Sequence, residues 1–203
     1  MAVKQRRTDK ELIQKRAVET REKLLVSALD LYTKKGYHSS TVDEIARNAG
    51  LSTGIAYRYF KNKKELLMET LVYTFSNIKD IAGVSEGDLI GENLEQALKV
   101  FEKLHVDYKD FHEELEGLRH SDSDVKMLYN SFMDRAMKEL HESLPDEIKA
   151  KPHSWENLNI AVGLMENYCH TYMDQIIDQN MNENEIEYMR KKTLEIVNDL
   201  VFN

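Results

Sequence analysis

Residues 41–63, TVDEIARNAGLSTGIAYRYFKNK, decide the fold, because they predict two short helices separated by a tight turn. Thr41 and Glu44 have the spacing of a capping box, in which each side chain binds the backbone N–H of the other residue. Apolar residues then recur at helical spacing up to Ala49, and Gly50 stands where a left-handed residue ends a helix. We therefore expect a helix that begins after Thr41 and a turn at Gly50.

The second helix of this segment begins at Ser52 or Thr53, because both residue types are good N-caps. It runs to Phe60 and is too short to be stable alone, so it needs a core to pack against. Helical periodicity cannot turn Tyr57, Tyr59 and Phe60 inward together. We expect Phe60 in the core and the two tyrosines at the surface.

A third helix is predicted where Asn62 and Glu65 repeat the cap signature. Lys61, Lys63 and Lys64 gather around its first turn, where the helix dipole alone disfavours cations. A phosphate group would resolve this conflict, since free backbone N–H groups and lysine side chains both bind it. The cluster is compatible with a DNA backbone, and a solvated lysine patch is the alternative.

The distribution of charge also favours a nucleic-acid partner. Residues 1–68 contain 15 Lys or Arg against 8 Asp or Glu, a balance of +7, whereas the remaining residues contain 13 against 28, a balance of −15. The whole chain of 203 residues carries −8, so a basic end stands on an acidic body. We expect one face to approach a polyanion while the other stays clear of it.

Working outward, helical periodicity predicts a helix from Val18 to Lys35, stopped by Gly36, and a basic N-terminal extension over residues 1–17. A long amphipathic helix, whose apolar stripe runs to Ala82, begins at Glu65 and leads out of the basic domain, which is predicted to end at residue 78. The rest of the chain, residues 79–203, has helical periods and no strand alternation. The predicted fold class is therefore all-α, with an N-terminal three-helix domain and a helical body.

The last two helices of the body, which follow a polar loop between Pro145 and Pro152, are the most apolar. Their apolar stripes are wider than one core needs, so a second copy of the chain is a reasonable partner. Two helices from each copy would form a four-helix bundle. The residues predicted at this interface are Leu158, Ala161, Val162, Ile186, Met189, Ile196 and Val197.

Several classes of protein are disfavoured. A single cysteine, Cys169, precludes an internal disulfide, and no apolar run has the length of a signal peptide or a membrane span. We expect a cytoplasmic protein with no membrane partner, and Cys169 as a small buried hydrophobe. The sequence contains no nucleophile elbow or dinucleotide fingerprint, so we predict no catalytic residue and no cofactor.

Two histidines and a glutamate of the body have a spacing that could suit a metal ion. His105 and His112 lie seven residues apart on one helical face, with Glu116 a further turn along, and two histidines and a carboxylate can bind zinc. Tight spacings such as HxxxH or CxxC are absent, and exposed or core histidines are commoner. The sequence therefore predicts no metal site, while an all-α enzyme that uses this face stays open as an alternative.

The N-terminal part of the chain resembles the DNA-binding domain of the TetR family of bacterial transcription regulators. The resemblance covers about Arg16 to Leu71, through REKLLVSALDLYTKKGY, TVDEIARNAGLS and STGIAYRYFKNKKELL. It implies a helix-turn-helix DNA-binding domain over residues 18–78 and an effector-binding and dimerisation domain over residues 79–203. It also implies a double-stranded DNA operator, a homodimer and a small-molecule effector as partners.

The resemblance assigns roles to residues of the helix-turn-helix. Phosphate contacts would set the register on DNA and base contacts would set the sequence preference. Ile55 replaces the Thr or Ser that similar proteins carry, so an apolar contact with a thymine methyl is expected there. The implied phosphate contacts are Thr41, Tyr57 and Lys63; Thr53, Gly54, Ile55 and Tyr59 lie toward bases; Ser52 and Arg58 complete the DNA-binding set.

An effector pocket between the middle helices of the body is also implied. Its predicted lining is Phe111, Leu115, Phe132, Met133, Met165, Cys169 and Tyr172. The leading hypothesis is a ligand-responsive repressor that binds a palindromic operator as a homodimer, with two recognition helices roughly 34 to 36 Å or a multiple apart. The alternative is a DNA-bound adaptor of the same fold that recruits a protein and has no small-molecule ligand.

Overall fold

The computed structural model describes residues 2–77, 94–178 and 181–203 of the chain. Within these ranges every regular element is a helix, which confirms the predicted all-α fold class. The predicted boundary between residues 78 and 79 lies outside the described residues. The helices are α1 (Ala2–Lys35), α2 (Val42–Asn48), α3 (Thr53–Tyr59), α4 (Lys63–Ser76), α5 (Leu94–Asp107), α6 (Lys109–Ser121), α7 (Ser123–Ser143), α8 (Asp146–Lys149), α9 (Ser154–Asp178) and α10 (Glu183–Phe202).

The first helix is longer than its apolar stripe. It begins at Ala2 and continues without a break to Lys35, so the basic residues predicted as an N-terminal extension lie on the same helix. Gly36 ends it with a φ of 82°, the left-handed conformation that glycine adopts without strain. The polar loop predicted after Pro145 contains the one-turn helix α8, which the sequence analysis missed.

The N-terminal core is formed by one face of each of the first four helices. Ala56 and Phe60 bury the inner side of α3, and Phe111 and Leu115 of α6 complete the same cluster from the body. Phe111 stacks on Tyr32 of α1 with ring centroids 5.7 Å apart. The body therefore contributes side chains to the core of the N-terminal domain, and α4 is not the sole connection between them. The buried members are Leu24, Leu25, Ala28, Leu29, Tyr32, Val42, Ile45, Ala46, Ala56, Phe60, Leu66, Leu67, Leu71, Phe111, Leu115 and Val125.

A second core lies between α5, α9 and α10. Cys169 is fully buried there, as predicted, and burial raises the pKa of its thiol to about 12, which leaves it protonated and unreactive at neutral pH. Glu102 of α5 is also buried, and accepts hydrogen bonds from Arg190 Nε at 2.8 Å and from the Tyr168 hydroxyl at 2.7 Å. This network joins the three helices of the second core. No described helix combines the length and apolarity needed to cross a bilayer.

The second core corrects part of the predicted dimer interface. Leu158, Ala161 and Val197 are buried within the chain, because α9 and α10 turn these residues toward each other and toward α5. Val162, Ile186 and Met189 are partly buried, and Ile196 is 49% exposed. Among the described side chains of α9, the exposed large apolar ones are Trp155, Ile160 and Leu164.

The predicted effector lining is divided between the two cores. Phe111 and Leu115 pack in the N-terminal core, whereas Met165 and Cys169 are buried in the second core with Tyr172 packed beside them. Phe132 stacks on Phe75 of α4 with ring centroids 4.0 Å apart, and Met133 is partly buried. These side chains therefore do not surround one cavity, because most of them fill helix contacts.

Two pockets on the surface do not have the predicted lining. The larger, about 610 Å³, is an open groove along α1 and α2 that includes Glu19, Val26 and Asn48. The smaller, about 160 Å³, lies on the outer face of α9 and α10 between Leu164 and Ile196.

Candidate nucleic-acid interface

The helix-turn-helix is built on the predicted caps. Thr41 and Glu44 form the complete capping box of α2: the Glu44 N–H donates to Thr41 Oγ1 at 3.2 Å, and the Thr41 N–H donates to Glu44 Oε2 at 2.9 Å. Lys35 and Thr41 hold the pKa of the Glu44 carboxyl at about 2, so the box is charged at neutral pH. Gly50 has a φ of 71° and makes the turn to α3.

The short helix α3 presents one face to solvent. Ser52, Gly54 and Arg58 are exposed, and Tyr57 is 53% exposed. Ile55 is half-buried. These five predicted DNA contacts therefore lie where an approaching duplex can reach them.

The opposite side of α3 faces the core. Ala56 is fully buried and Phe60 nearly so, and Tyr59 is half-buried against the same cluster. Phe60 lies where the sequence predicts it. Tyr59 differs from its expected surface position, because its place one residue before Phe60 turns much of its ring toward the N-terminal core.

Thr53 is already engaged in the DNA-free protein. Its hydroxyl donates to the Asp43 carboxylate of α2, and this bond lowers the pKa of Asp43. The bond ties the start of the recognition helix to the helix before it. Ser52, the N-cap residue of α3, makes no side-chain cap bond, so its hydroxyl remains available to a ligand.

The lysine cluster divides into two groups. Lys63 donates to the His38 carbonyl at 3.1 Å, and its ammonium lies 4.4 Å from the centre of the Tyr37 ring. Lys64 instead forms ion pairs with Asp122 and Asp124 at the start of α7, both at 2.8 Å. Lys64 therefore ties α4 to the body and does not extend the phosphate-binding cluster that the sequence suggested.

The turn between α1 and α2 is held from the body by Glu114 of α6. Its carboxylate accepts the backbone N–H of Tyr37 and, at 3.2 Å, that of His38. A Cβ atom at Gly36 would collide with this carboxylate, so a larger residue would have to displace the end of the Glu114 side chain from the turn. Lys63, a predicted phosphate contact, donates to the carbonyl of His38, whose N–H binds Glu114. The turn therefore links Glu114 to Lys63.

Sequence reasoning missed this connection. Glu114, Asp122 and Asp124 lie in the acidic body, where charge alone marks a solvated surface. Only the tendency of Asp122 to cap a helix gave a local signal, and its carboxylate does accept the Asp124 N–H at 2.9 Å. Their contacts with the N-terminal domain depend on tertiary packing, which no spacing in the sequence records.

The comparisons agree with this geometry. The sequence model of the family described as "Bacterial regulatory proteins, tetR family" matches residues 24–70, which span the C-terminal part of α1, all of α2 and α3, and the first part of α4. Residues 24–70 therefore form a TetR-type DNA-binding domain. YuxN of Bacillus subtilis, an HTH-type transcriptional regulator, is 35% identical over 99 residues, which are 46% of this chain and 33% of that protein. The chain thus spans about a third of the length of this curated relative.

Solved TetR-type structures extend the likeness in fold to the body. A TetR-family transcriptional regulator from Rhodococcus sp. aligns with 91% of this chain and 99% of its own, with a TM-score of 0.69 and 17% identity. A transcriptional regulator from Saccharomonospora viridis in complex with choline aligns with 89% of this chain and 96% of its own, with a TM-score of 0.64 and 18% identity. The named proteins are all described as regulators, in agreement with the prediction that this chain is not an enzyme.

Proposed function

We propose that the protein is a sequence-specific DNA-binding transcriptional repressor that acts in the cytoplasm as a homodimer on a palindromic operator and responds to a ligand in its body. The observation that carries the proposal is the two-sided α3. Ala56 and Phe60 fix its inner side in the core, while Ser52, Tyr57 and Arg58 stand in solvent on its outer side. A helix held in this way can enter a major groove without losing its own support.

The charge of the chain supports this orientation. The basic balance of +7 over residues 1–68 belongs to the domain that carries α3, and the balance of −15 belongs to the body. The negative body is repelled by DNA, so the approach favours the end that carries the recognition helix. Lys63 begins the helix after α3 and Thr41 caps the helix before it, and both are predicted phosphate contacts, which set the register.

A salt titration on an operator selected from genomic fragments tests these roles. Lys63→Ala should weaken binding to all duplexes alike and reduce the slope of log K against log salt by about 1, because one phosphate contact is lost. Ile55→Ala should change the ranking of related duplexes, because an apolar base contact is lost. Fluorescence anisotropy measures both.

Lys138→Ala is the matched control, since Lys138 is exposed on the body. It should leave both the slope and the ranking unchanged. If Lys63→Ala and Ile55→Ala behave alike across duplexes, the assigned roles are wrong, and if the wild type prefers no fragment, sequence-specific binding is wrong.

The proposed dimer uses the outer face of α9 and α10. Ile160, Leu164 and Ile196 are respectively 53%, 37% and 49% exposed, and Leu164 and Ile196 line the same shallow pocket between the two helices. Exposed apolar side chains on neighbouring helices are what a two-fold partner can cover. A second copy of the chain is the proposed occupant, because two such faces would pack as a four-helix bundle.

Sedimentation velocity tests this face. Ile196→Glu should convert a dimer into a monomer, because the bundle would bury an unpaired carboxylate in each copy. Met127→Glu is the control, since Met127 is 63% exposed on α7 and lies outside this face. A variant Ile196→Glu that remains a dimer would place the interface elsewhere.

The ligand response is supported by the fold and by a relative. The Saccharomonospora viridis regulator of the same fold was solved in complex with choline. The residues predicted to line an effector pocket are instead packed in the two cores. This packing argues against a small organic effector. It favours the second candidate, an adaptor that recruits a protein. Thermal-shift screening with small molecules tests the ligand-responsive repressor, and pull-down of a stable protein partner tests the adaptor.

A further inference from the structure

Three histidines from three helices of the body face one another. His105 lies on α5, His112 on α6 and His170 on α9. The ring centroids are 4.7 Å apart for His105 and His112, 5.0 Å for His112 and His170, and 5.6 Å for His105 and His170. One nitrogen of each ring lies within 4.8 Å of those of the other two. Glu116, which the sequence placed with the first two, is not a member of this group.

The hydrogen bonds of His105 orient its ring toward the group. His105 Nδ1 lies 2.8 Å from the Phe101 carbonyl, and because a carbonyl only accepts, Nδ1 must carry the proton. The lone pair is therefore on Nε2, which is buried and has no partner. A backbone carbonyl that fixes one ring nitrogen while the other faces the site is the usual support of a metal-bound histidine.

His112 adds a second unpaired nitrogen. Its Nδ1 is also buried with no hydrogen-bond partner, although most buried polar groups in proteins have one. Burial, together with His105, His170 and Arg119, lowers the pKa of His112 to about 4, so the ring is neutral at pH 7. Neutral imidazole is the form that binds a metal ion.

We propose that His105, His112 and His170 bind a divalent transition-metal ion of the Zn²⁺ type in the body of the protein. Zn–N bonds of about 2.0 to 2.1 Å in a tetrahedral site place ligand nitrogens about 3.4 Å apart. Side-chain rotations that bring the rings closer by about an ångström or more would therefore complete the site. Three imidazoles leave a fourth position open for water or an effector.

The surrounding charges offset those of the ion. Glu116 lies one turn after His112, and its Oε1 is buried with no partner while Oε2 lies 3.1 Å from Arg119. Glu166 lies one turn before His170 and acts electrostatically on His105. The negative charges of these two carboxylates would therefore offset the positive charge of a divalent ion. Arg119 contributes a further positive charge. This site revises the sequence-based expectation of no metal, which had only two histidines within reach.

The consequence for DNA binding rests on the proposed function. The helix that carries His112 also carries Phe111, which stacks on Tyr32, and Glu114, which holds the turn next to Lys63. A metal that draws His112 toward α5 and α9 acts on a helix already attached to the N-terminal domain. Metal binding should therefore change operator affinity by at least about fivefold, the lower end of ordinary allosteric coupling.

Titration of chelator-treated, dialysed full-length protein with Zn²⁺ by calorimetry tests the site. We expect about one ion per chain, and binding at least about tenfold weaker in His112→Ala and His170→Ala, because loss of a ligand should cost no less than loss of a supporting residue. His120→Ala is the control, because His120 is exposed on the same helix as His112. Circular dichroism of the metal-free variants verifies folding.

Co²⁺ provides a second measurement that needs no variant. The wild type should develop the visible absorption of a tetrahedral site with nitrogen ligands, and one equivalent of Zn²⁺ should remove it. Absence of both this spectrum and saturable Zn²⁺ binding would overturn the proposal, as would equal affinities in His120→Ala, His112→Ala and His170→Ala. In either case the three rings are ordinary core packing.

Operator binding with and without Zn²⁺ is read out separately. The metal should change the affinity of the wild type and leave that of His170→Ala unchanged. If Zn²⁺ binds as predicted but no duplex is recognised, the proposed function fails and the metal site stands. If operator affinity is the same with and without bound Zn²⁺, the coupling through α6 is wrong.

Discussion

The two hydrophobic cores bury different kinds of polar group. In the N-terminal core the buried polar residues are Ser27, Ser40 and Thr70, and each hydroxyl donates to a backbone carbonyl at 2.7 or 2.8 Å. Among the described residues of the body they are Glu102 and His105, both ionisable. The first core is held by neutral hydrogen bonds, whereas the second contains groups whose charge depends on their partners.

This difference separates a fixed region from a responsive one. A hydroxyl bonded to a carbonyl contributes modestly and depends little on conditions. A buried charge is tolerated only while its partner is in place, so an ion or ligand that replaces or adds a partner changes the stability of the whole arrangement. We therefore expect the N-terminal domain to keep its shape and the body to change its own when it binds a ligand.

The largest expected effect is in the body. Glu102→Ala should lower the free energy of unfolding by about 3 kcal/mol, because it removes the buried partner of Arg190, whose side chain is 15% exposed, and leaves only its exposed partner Glu187. Ser27→Ala in the N-terminal core should cost only about 1 kcal/mol. Urea unfolding measures both, and equal losses would remove the contrast between the cores.

A double replacement sharpens the same test. Glu102→Leu combined with Arg190→Leu leaves no buried charge unpaired, so it should cost much less than Glu102→Ala. Glu187→Ala, which removes the exposed partner of Arg190, should cost no more than about 1 kcal/mol.

An intermediate effect is expected where the two regions meet. Gly36→Ala should cost about 1 to 3 kcal/mol, since it forces a left-handed alanine and displaces the Glu114 carboxylate from the turn. Gly50→Ala has a similar φ but no atom within 4 Å of the new Cβ, so it should cost only the backbone strain of about 1 to 2 kcal/mol.

The double variant with Glu114→Ala isolates the contact between the regions. Gly36→Ala should cost less in that background than alone, because the collision is gone while the strain remains. Thermal unfolding of the wild type and the three variants measures the coupling, and strict additivity would show that Glu114 does not respond to position 36.

The smallest expected effect lies within the N-terminal domain. Thr41→Ala should cost about 1 kcal/mol, because the threonine side chain forms half of the capping box of α2. Ser52→Ala should cost a few tenths of a kcal/mol, since Ser52 caps α3 without a side-chain bond. If Ser52→Ala lowers the free energy of unfolding in urea as much as Thr41→Ala does, the Ser52 side chain forms a cap bond in solution and this distinction is wrong.

The N-terminal domain could be predicted in detail because its signals are local. A capping box, Gly50 at the turn and the period of α3 each depend on residues within one turn of one another, and Thr41, Gly50 and Phe60 lie as predicted. Tyr59 was placed at the surface because period alone does not measure how far a large ring reaches into a core.

The body could be predicted only as a set of helices. Its apolar stripes were found, but a stripe does not say which neighbouring helix covers it. Leu158, Ala161 and Val197 were therefore predicted at a dimer interface, whereas helices of the same chain bury them. His170 was not joined to His105 because nothing in the sequence brings α9 beside α5. Contacts of this kind are set by packing geometry, which requires the structure.

The helix α6 has a consequence for anyone who wishes to engineer this protein. Within its 13 residues it presents His112 to the body, Phe111 and Leu115 to the N-terminal core, and Glu114 to the turn between α1 and α2. Insertion or deletion of one residue would rotate half of these side chains by about 100° relative to the rest. To change which ligand the protein recognises, substitutions are therefore best made on α5 and α9. Such substitutions leave the relative orientation of the side chains on α6 unchanged.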